Sequence, residues 1–149
     1  MKQELGITLS QYNSILDDVK KIHEESLKEG TNDWNKTVLT SNFKIGKRIV
    51  EIKQDTKERA SYGEKILEQL SKDLNNKYKK GFSESNLQYM RKFFIYYRNS
   101  KFYSELTWSH YISLLQIEDK KTRQRLERIT IQKKTFYQRF INLSEKQNI

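Results

Sequence analysis

The sequence predicts an all-α protein, with five or six helices around an aromatic-rich core and an embedded helix-turn-helix. The 149 residues include no Pro and only five Gly, which argues against a turn-rich all-β fold. Long stretches of Lys, Glu, Gln and Leu favour helix instead. Apolar residues recur at helical spacing, and nine Tyr, seven Phe and two Trp supply an unusual share of them.

The first two helices are predicted over Ser10–Lys28 and from Trp34 to about Lys53. Gly30 ends the first, and the polar stretch 31–33 supplies an N-cap for the second. The apolar side of the first helix is Leu9, Tyr12, Ile15, Leu16, Val19 and Ile22. The second is expected to bury Trp34, Val38, Leu39, Phe43, Ile45 and Ile49. Gly46 inside a helix costs about 1 kcal/mol relative to Ala, and it favours close helix packing over an active site.

The stretch from Ser61 to Arg98 predicts two helices joined by a short basic turn. Ser61 and Glu64 have the spacing of a capping box, in which each side chain satisfies a free backbone N–H. Gly81 lies where a helix needs a left-handed residue to end, and Ser83 is placed to cap the next helix. The stripe expected to be buried in that helix is Leu87, Met90, Phe94 and Tyr97. This pattern is typical of a helix-turn-helix, a motif that commonly binds DNA.

Beyond this motif the sequence predicts a connector and two further helices. The connector, Asn99–Leu106, has room for a short wing or hairpin, and the sequence does not separate that from a simple loop. Thr107 caps a helix over Trp108–Ile117, and a last helix runs over about 119–143. His110 suits a packing role at a helix start better than that of a catalytic base, because no nucleophile partner lies nearby.

The net charge of +10 is concentrated in two segments. Met1–Asp33 has four basic and seven acidic residues, net −3. Lys77–Lys101 has seven basic and one acidic, net +6, and Lys120–Arg139 has eight and one, net +7. A codon bias toward Lys, which the 21 Lys and 8 Arg fit, would spread the charge more evenly. The concentration therefore predicts an anionic partner, most often nucleic acid, and the helix-turn-helix pattern points to double-stranded DNA.

The second helix of the motif supplies the candidate DNA contacts. The base-edge candidates, placed near the start of that helix, are Ser85, Gln88 and Arg91. The phosphate candidates are Lys77, Lys79, Lys80, Ser83, Lys92 and Arg98. A solvated polar face on an ordinary core helix would show the same residue types, and the uneven charge favours DNA binding over that reading.

A second aromatic stripe on the same helix supports a different function. Tyr89, Phe93 and Tyr96 recur at helical spacing, so they either lie between several helices or contact another protein chain. The rival hypothesis is therefore a protein-interaction or dimerisation module that recruits a nuclease or regulator. The basic last helix fits a nucleic-acid backbone or an acidic groove of a partner better than a membrane surface.

Several short motifs between Gly46 and Leu115 carry a family resemblance. In chain order they are Gly46-Lys47-Arg48-Ile49, Tyr62-Gly63, Leu70-Ser71, Asp73-Leu74, Gly81-Phe82-Ser83, Asn86-Leu87, Met90-Arg91 and Trp108-Ser109-His110. Together they resemble the N-terminal domain of the YhcG-type nuclease family, whose full-length members carry a C-terminal domain of the PD-(D/E)XK superfamily. The resemblance implies one helical domain over 1–149, with the helix-turn-helix at about 61–98. The basic helix at about 119–143 departs from the family pattern.

The residues argue against most enzyme classes. The chain has no Cys and two distant His, which excludes thiolate metal sites and disfavours histidine-based ones. No β-rich region is evident to carry the acidic cluster that a Mg²⁺-dependent nuclease needs, and phosphate-binding glycine patterns are missing. We therefore expect no enzyme, catalytic residue, metal or cofactor. The chain lacks a signal-peptide pattern and any run of about 20 apolar residues, so a cytoplasmic location without a membrane partner is expected.

Overall fold

The computed structural model describes residues 7–29, 33–55 and 60–147, and these ranges contain six α-helices and no strand. The helices are α1 (Leu9–Lys28), α2 (Trp34–Asp55), α3 (Ala60–Tyr78), α4 (Glu84–Tyr97), α5 (Trp108–Leu114) and α6 (Lys120–Gln147). The predicted all-α class is confirmed. The connector over 99–106 forms turns, without a wing. Within the described ranges, no helix combines the length and apolar character needed to cross a membrane.

The chain divides into two compact units, Met1–Phe102 and Tyr103–Ile149, where the sequence predicts one domain. Helices α1 to α4 belong to the first unit, and α5 and α6 belong to the second. The capping box predicted at Ser61 and Glu64 lies outside the described side chains, as does the predicted helix end at Gly30. The N-cap predicted from 31–33 is confirmed at Asp33, whose carboxylate accepts a hydrogen bond from the backbone N–H of Lys36 at 3.0 Å.

The contact between α2 and α4 forms the centre of the first unit. A Cβ atom at Gly46 would lie 2.0 Å from the carbonyl oxygen of Met90 and 3.1 Å from the Cβ of Phe94. Only glycine lets the two backbones approach this closely. The packing role predicted for Gly46 is confirmed.

An aromatic cluster fills the space beside this contact. The ring of Phe43 on α2 lies 5.1 Å from that of Phe94 and 5.6 Å from that of Phe102, and Phe93 lies 5.2 Å from Tyr97. These separations are typical of favourable tilted aromatic pairs. Phe94, which the sequence placed in the buried stripe, is half-buried, and Phe93, which it placed either between helices or at a partner interface, is fully buried. Phe43 and Phe102 pack against Phe93 together, which removes it from the surface.

Two apolar residues expected on buried faces are exposed instead. Leu9 keeps 52% of its surface accessible and Trp34 keeps 57%. Each is the first residue of its helix, and a helical side chain leans toward the N-terminus, so no preceding turn covers it.

Polar contacts join α1 to its two neighbours. The Arg48 guanidinium on α2 lies 2.6 Å from the Asp18 carboxylate on α1. The Tyr12 hydroxyl on α1 donates to the Asp73 carboxylate on α3, which also accepts from the Gln69 amide at 3.2 Å. Burial, together with the Asp73 hydrogen bond, raises the pKa of Tyr12. These contacts fix α1 against α2 and α3.

Hydrogen bonds cap the starts of both helices in the second unit. The Nδ1 atom of His110 accepts from the Thr107 backbone N–H at 3.0 Å, and the His110 N–H donates to the Thr107 hydroxyl at 3.2 Å. This reciprocal cap confirms a structural role for His110. At the start of α6, the Asp119 carboxylate accepts from the N–H of Thr122 at 2.9 Å and from its hydroxyl at 2.6 Å. These hydrogen bonds lower the pKa of Asp119.

Candidate nucleic-acid interface

The turn between α3 and α4, residues 79–83, holds two residues in the left-handed region. Lys79 has a φ of 74° and Gly81 a φ of 94°. The Lys79 N–H donates to the Asn75 carbonyl at 2.8 Å, which closes the last turn of α3. The left-handed residue that ends α3 is thus Lys79, two positions before the predicted Gly81. A side chain in this region costs about 1–2 kcal/mol, so the turn carries local strain at a lysine.

The start of α4 is held by a cap and by a second bond that the sequence did not indicate. The Ser83 hydroxyl accepts from the Asn86 N–H at 3.1 Å, which confirms the predicted N-cap. The side-chain amide of Asn86 donates to the Gly81 carbonyl at 2.7 Å and so ties the turn to the helix. Phe82 and Leu87 on either side are both buried. An Asn three residues after a capping Ser is the sequence signal that could have indicated this bond.

The three base-edge candidates lie in unlike environments. Ser85 and Gln88 are exposed on the first two turns of α4. Arg91 is half-buried, and its Nε atom is enclosed without a hydrogen-bond partner in the described structure. Two of the three are therefore open to a ligand, and Arg91 is partly withdrawn.

The lysines of the turn are open to solvent. Lys79 and Lys80 are exposed, and neither lies within ion-pair distance of a carboxylate in the described ranges. Arg98 is also exposed, but it follows the last residue of α4. At a rise of about 1.5 Å per residue it lies roughly 21 Å along the helix from the turn.

Lys77 has a partner within the protein. Its ammonium lies 3.2 Å from the Glu24 carboxylate on α1 and 5.5 Å from the centre of the Tyr78 ring. The hydrogen bond between the two charged groups raises the pKa of Lys77 and lowers that of Glu24. Its charge is thus matched by an acidic neighbour, unlike those of the turn lysines.

A histidine that the sequence did not single out packs beneath the turn. The His23 ring on α1 meets the rings of Tyr78 and Phe82 edge-on, at 4.5 and 5.0 Å. Burial lowers the pKa of His23 and raises that of Tyr78. The sequence holds no local signal for this contact, because it joins residues that are distant along the chain.

The DNA candidates and the partner candidates share one face of α4. At 100° per residue, positions 85, 88, 89, 92 and 96 fall within an arc of roughly 100°. The Lys92 ammonium lies 5.3 Å from the centre of the Tyr96 ring, a cation–π distance. Tyr89 and Tyr96 are half-buried, whereas Phe93 is fully buried and cannot contact a partner. The partner stripe is thus reduced to two tyrosines that flank Lys92.

The arrangement at the turn offers hydrogen-bond donors and positive charge. Among the described residues, no group of three or more His, Asp or Glu side chains is placed to hold a metal ion. What the site presents is an exposed serine, a glutamine and two lysines around a helix start. Such groups recognise an anionic, hydrogen-bonding ligand.

The profile of the DUF1016 N-terminal domain matches residues 18–145 of this chain. The chain belongs to that family. The match spans parts of both compact units, and it confirms the family resemblance carried by the motifs between Gly46 and Leu115.

One curated relative matches two thirds of the chain. "Putative nuclease YhcG" of Escherichia coli (strain K12) is 32% identical to this chain over 100 residues, which are 67% of this chain and 27% of the relative. The chain therefore corresponds to about a quarter of that relative's length. No solved structure gives a significant match to the chain.

Proposed function

We propose that this chain is a non-catalytic module that binds duplex DNA and directs a nuclease-family protein to it. The observation that carries the proposal is the α3–α4 turn. There the exposed lysines Lys79 and Lys80 lie in sequence just before the exposed side chains of Ser85 and Gln88. Short polar side chains at the start of a helix, with lysines beside them, are what a major-groove reader requires.

In this proposal the first two turns of α4 approach the major groove. Ser85 and Gln88 donate to or accept from base edges, and the turn lysines neutralise phosphates on either side. Lys77 adds less than the turn lysines, because a phosphate has to compete with its ion pair to Glu24. Lys92 extends the contact on the same arc of α4, whereas Arg91 is half-buried and Arg98 lies roughly 21 Å from the turn, so both contribute less.

Two further facts support nucleic acid as the partner. The chain carries a net charge of +10, with the segment Lys77–Lys101 contributing a net +6. A relative that shares 32% identity over 100 residues bears the name "Putative nuclease YhcG", and nucleases act on nucleic acid. A DNA-binding module in such a family would position the nuclease on its substrate.

Fluorescence anisotropy with labelled random duplex DNA over a salt titration tests this function. With about six phosphate contacts, the logarithm of the association constant should fall with the logarithm of salt concentration at a slope near −5. The double variant Lys79→Glu, Lys80→Glu should lose binding at 0.15 M salt while its circular dichroism spectrum stays unchanged.

A matched control separates the effect of the turn lysines on DNA affinity from the effect of net charge alone. Lys44 and Lys47 are exposed on α2, and Lys44→Glu with Lys47→Glu changes the net charge by the same amount. If the two double variants weaken binding equally, or if the wild-type affinity does not depend on salt, groove binding at the turn is wrong.

A second candidate function is a protein-interaction or dimerisation module. The half-buried Tyr89 and Tyr96, on the same arc of α4 as the DNA candidates, favour it. Sedimentation velocity of the wild type and of Tyr89→Ser, Tyr96→Ser distinguishes the two functions. Loss of self-association with DNA affinity unchanged would support the interaction module, and an unchanged monomer that still binds DNA would argue against it.

A further inference from the structure

Helix α6 presents a row of basic and polar side chains on one exposed face. We call this row the basic stripe, and its members are Lys121, Arg125, Arg128, Gln132, Thr135 and Arg139. All six are exposed, and at 100° per residue they fall within an arc of roughly 80°. From first to last the stripe extends over about 27 Å at a rise of 1.5 Å per residue. It therefore forms an exposed ridge of four basic and two polar side chains within the unit Tyr103–Ile149.

Three other charged residues of α6, Arg123, Glu127 and Lys134, are buried or bonded within the protein and do not belong to the stripe. The buried Arg123 guanidinium donates to the carbonyls of Ile117 and Glu118, at 2.8 and 3.2 Å. The Lys134 ammonium donates to the Glu105 carbonyl. Glu127 is the single acidic residue of Lys120–Arg139, and it is also buried. The packing of the second unit thus accounts for these residues and leaves the stripe with basic charges only.

The exposed face of α1 shows what a merely solvated helix looks like in the same protein. That face carries Asp17, Lys20, Lys21, Glu24, Glu25 and Lys28. Its charges alternate in sign, as expected where neighbours three or four positions apart stabilise a helix. The stripe instead places Lys121, Arg125 and Arg128 at like-charge spacings, each of which costs about 0.2–0.5 kcal/mol. An anionic partner would remove this cost.

Arginine usage distinguishes the stripe from a compositional bias. The chain has 21 Lys and 8 Arg, and three of those Arg, Arg125, Arg128 and Arg139, lie in the stripe. A codon bias that enriches Lys does not concentrate Arg in one helix. The planar guanidinium group matches phosphate oxygens through two parallel hydrogen bonds, which an ammonium group does not. The residue choice therefore favours phosphate over a partner that offers negative charge alone.

We propose that the basic stripe binds the phosphate backbone of duplex DNA without reading bases. It would be a second DNA contact, carried by the unit Tyr103–Ile149 and separate from the α3–α4 turn. The choice of duplex DNA rests on the proposed function, whereas the choice of phosphate rests on the stripe itself. Its length covers about eight phosphate positions of one strand along a duplex axis. Gln132 and Thr135 can hydrogen-bond phosphate oxygens between the charged residues.

The salt dependence of binding measures the contribution of the stripe. The variant Arg125→Gln, Arg128→Gln removes two charges and keeps good helix propensity. If both residues contact phosphates, the salt slope becomes shallower by about 1.8, and affinity for random duplex at 0.1 M salt falls by up to about 60-fold. The control Lys44→Gln, Lys47→Gln removes the same charge from α2 and should leave both quantities near the wild-type values.

Alkylation gives a test that does not depend on charge. Because the chain has no Cys, Gln132→Cys places a single thiol in the middle of the stripe, and Ser113→Cys places one at an exposed position of α5. Saturating duplex DNA should slow the reaction of Cys at position 132 with iodoacetamide several-fold and leave position 113 unaffected. Protection of neither position, or protection by duplex RNA alone, would overturn the proposal.

The outcomes separate this inference from the proposed function. If the Lys79→Glu, Lys80→Glu variant binds DNA like the wild type while the Arg125→Gln, Arg128→Gln variant binds more weakly, the proposed DNA contact at the turn is wrong. The proposed contact at the basic stripe is then supported. If the turn variant binds duplex DNA more weakly and the stripe variant binds like its α2 control, the proposed contact at the basic stripe is wrong. The proposed contact at the turn is then supported. Absence of duplex binding by the wild type would overturn both.

Discussion

Helix α4 passes through two regions that differ in almost every physical respect. Its middle is sealed against α2, where Gly46 meets the Met90 carbonyl and Phe93 is fully buried. Its start is open, with an exposed Ser83 cap and an exposed Gln88. The sealed region fixes where the helix lies, and the open region is free to carry polar side chains. Substitutions in the first should therefore change stability, and substitutions in the second should mainly change binding.

The largest effect is expected at the sealed region. Gly46→Ala would place a methyl group inside the Met90 carbonyl, so α2 and α4 must separate. We expect a loss of about 3 kcal/mol or more in the free energy of unfolding, measured by urea denaturation. Lys47→Ala, at the exposed neighbouring position, is the control and should change stability by less than about 0.5 kcal/mol. Equal stabilities of the two variants would contradict the close packing.

The next effect concerns the cap that joins the turn to α4. Ser83→Ala removes the oxygen that accepts from the Asn86 N–H and should cost about 1 kcal/mol in unfolding free energy. Ser85→Ala, two residues later and exposed, should leave stability nearly unchanged and weaken DNA binding instead. Urea denaturation and anisotropy on both variants would show whether stability and binding separate within one turn of helix.

A smaller change, of opposite sign, is expected at the strained lysine. Lys79→Gly relieves the cost of a side chain at a φ of 74°, and the greater freedom of glycine in the unfolded chain offsets part of that gain. We expect a net stabilisation of about 0.5 kcal/mol, and weaker DNA binding if Lys79 makes the proposed phosphate contact. Lys80→Gly, at a residue without positive φ, should be destabilising, and a stabilisation there would contradict the strain argument.

The smallest effect is a pH dependence that originates beneath the turn. Burial lowers the pKa of His23 below its ordinary value of 6.5, so the unfolded chain binds the proton more readily than the folded one. The stability that neutral His23 contributes is therefore fully present above pH 6.5 and is lost as the pH falls through the folded pKa. The melting temperature should decline from pH 7.5 to 5.5, and His23→Phe should flatten that decline. If the melting temperature of the variant declines as much as that of the wild type, titratable groups other than His23 cause the decline.

Local patterns predicted the parts of the fold that depend on near neighbours. The caps at Ser83 and Thr107 were correct, because a cap is a bond between residues three apart. Gly46 was correctly assigned to packing, since a glycine inside an amphipathic helix has few other uses. The sequence left open whether Phe93 is buried or contacts a partner, and it placed the half-buried Phe94 fully in the core, because periodicity does not show how many sides of a helix are covered.

The candidate site shows the same division. Exposure of Ser85 and Gln88 followed from their positions opposite the apolar stripe. The pairing of Lys77 with Glu24 and the packing of His23 under Phe82 did not follow, since each joins α1 to residues far along the chain. Lists of basic residues from sequence therefore include some that the fold has already neutralised.

By itself the sequence determined the helical class, the family, the caps and the two concentrations of positive charge. These properties depend on composition and on spacings within a few residues, which survive whatever the tertiary arrangement is. Only the tertiary structure decided which of those charges have partners within the protein: the exposed Lys77 pairs with Glu24 and the buried Arg123 donates to backbone carbonyls, whereas Lys79 and Arg125 are exposed and make no such bond in the described ranges. The physical reason is that burial and pairing are set by contacts between distant segments, and no local pattern encodes them.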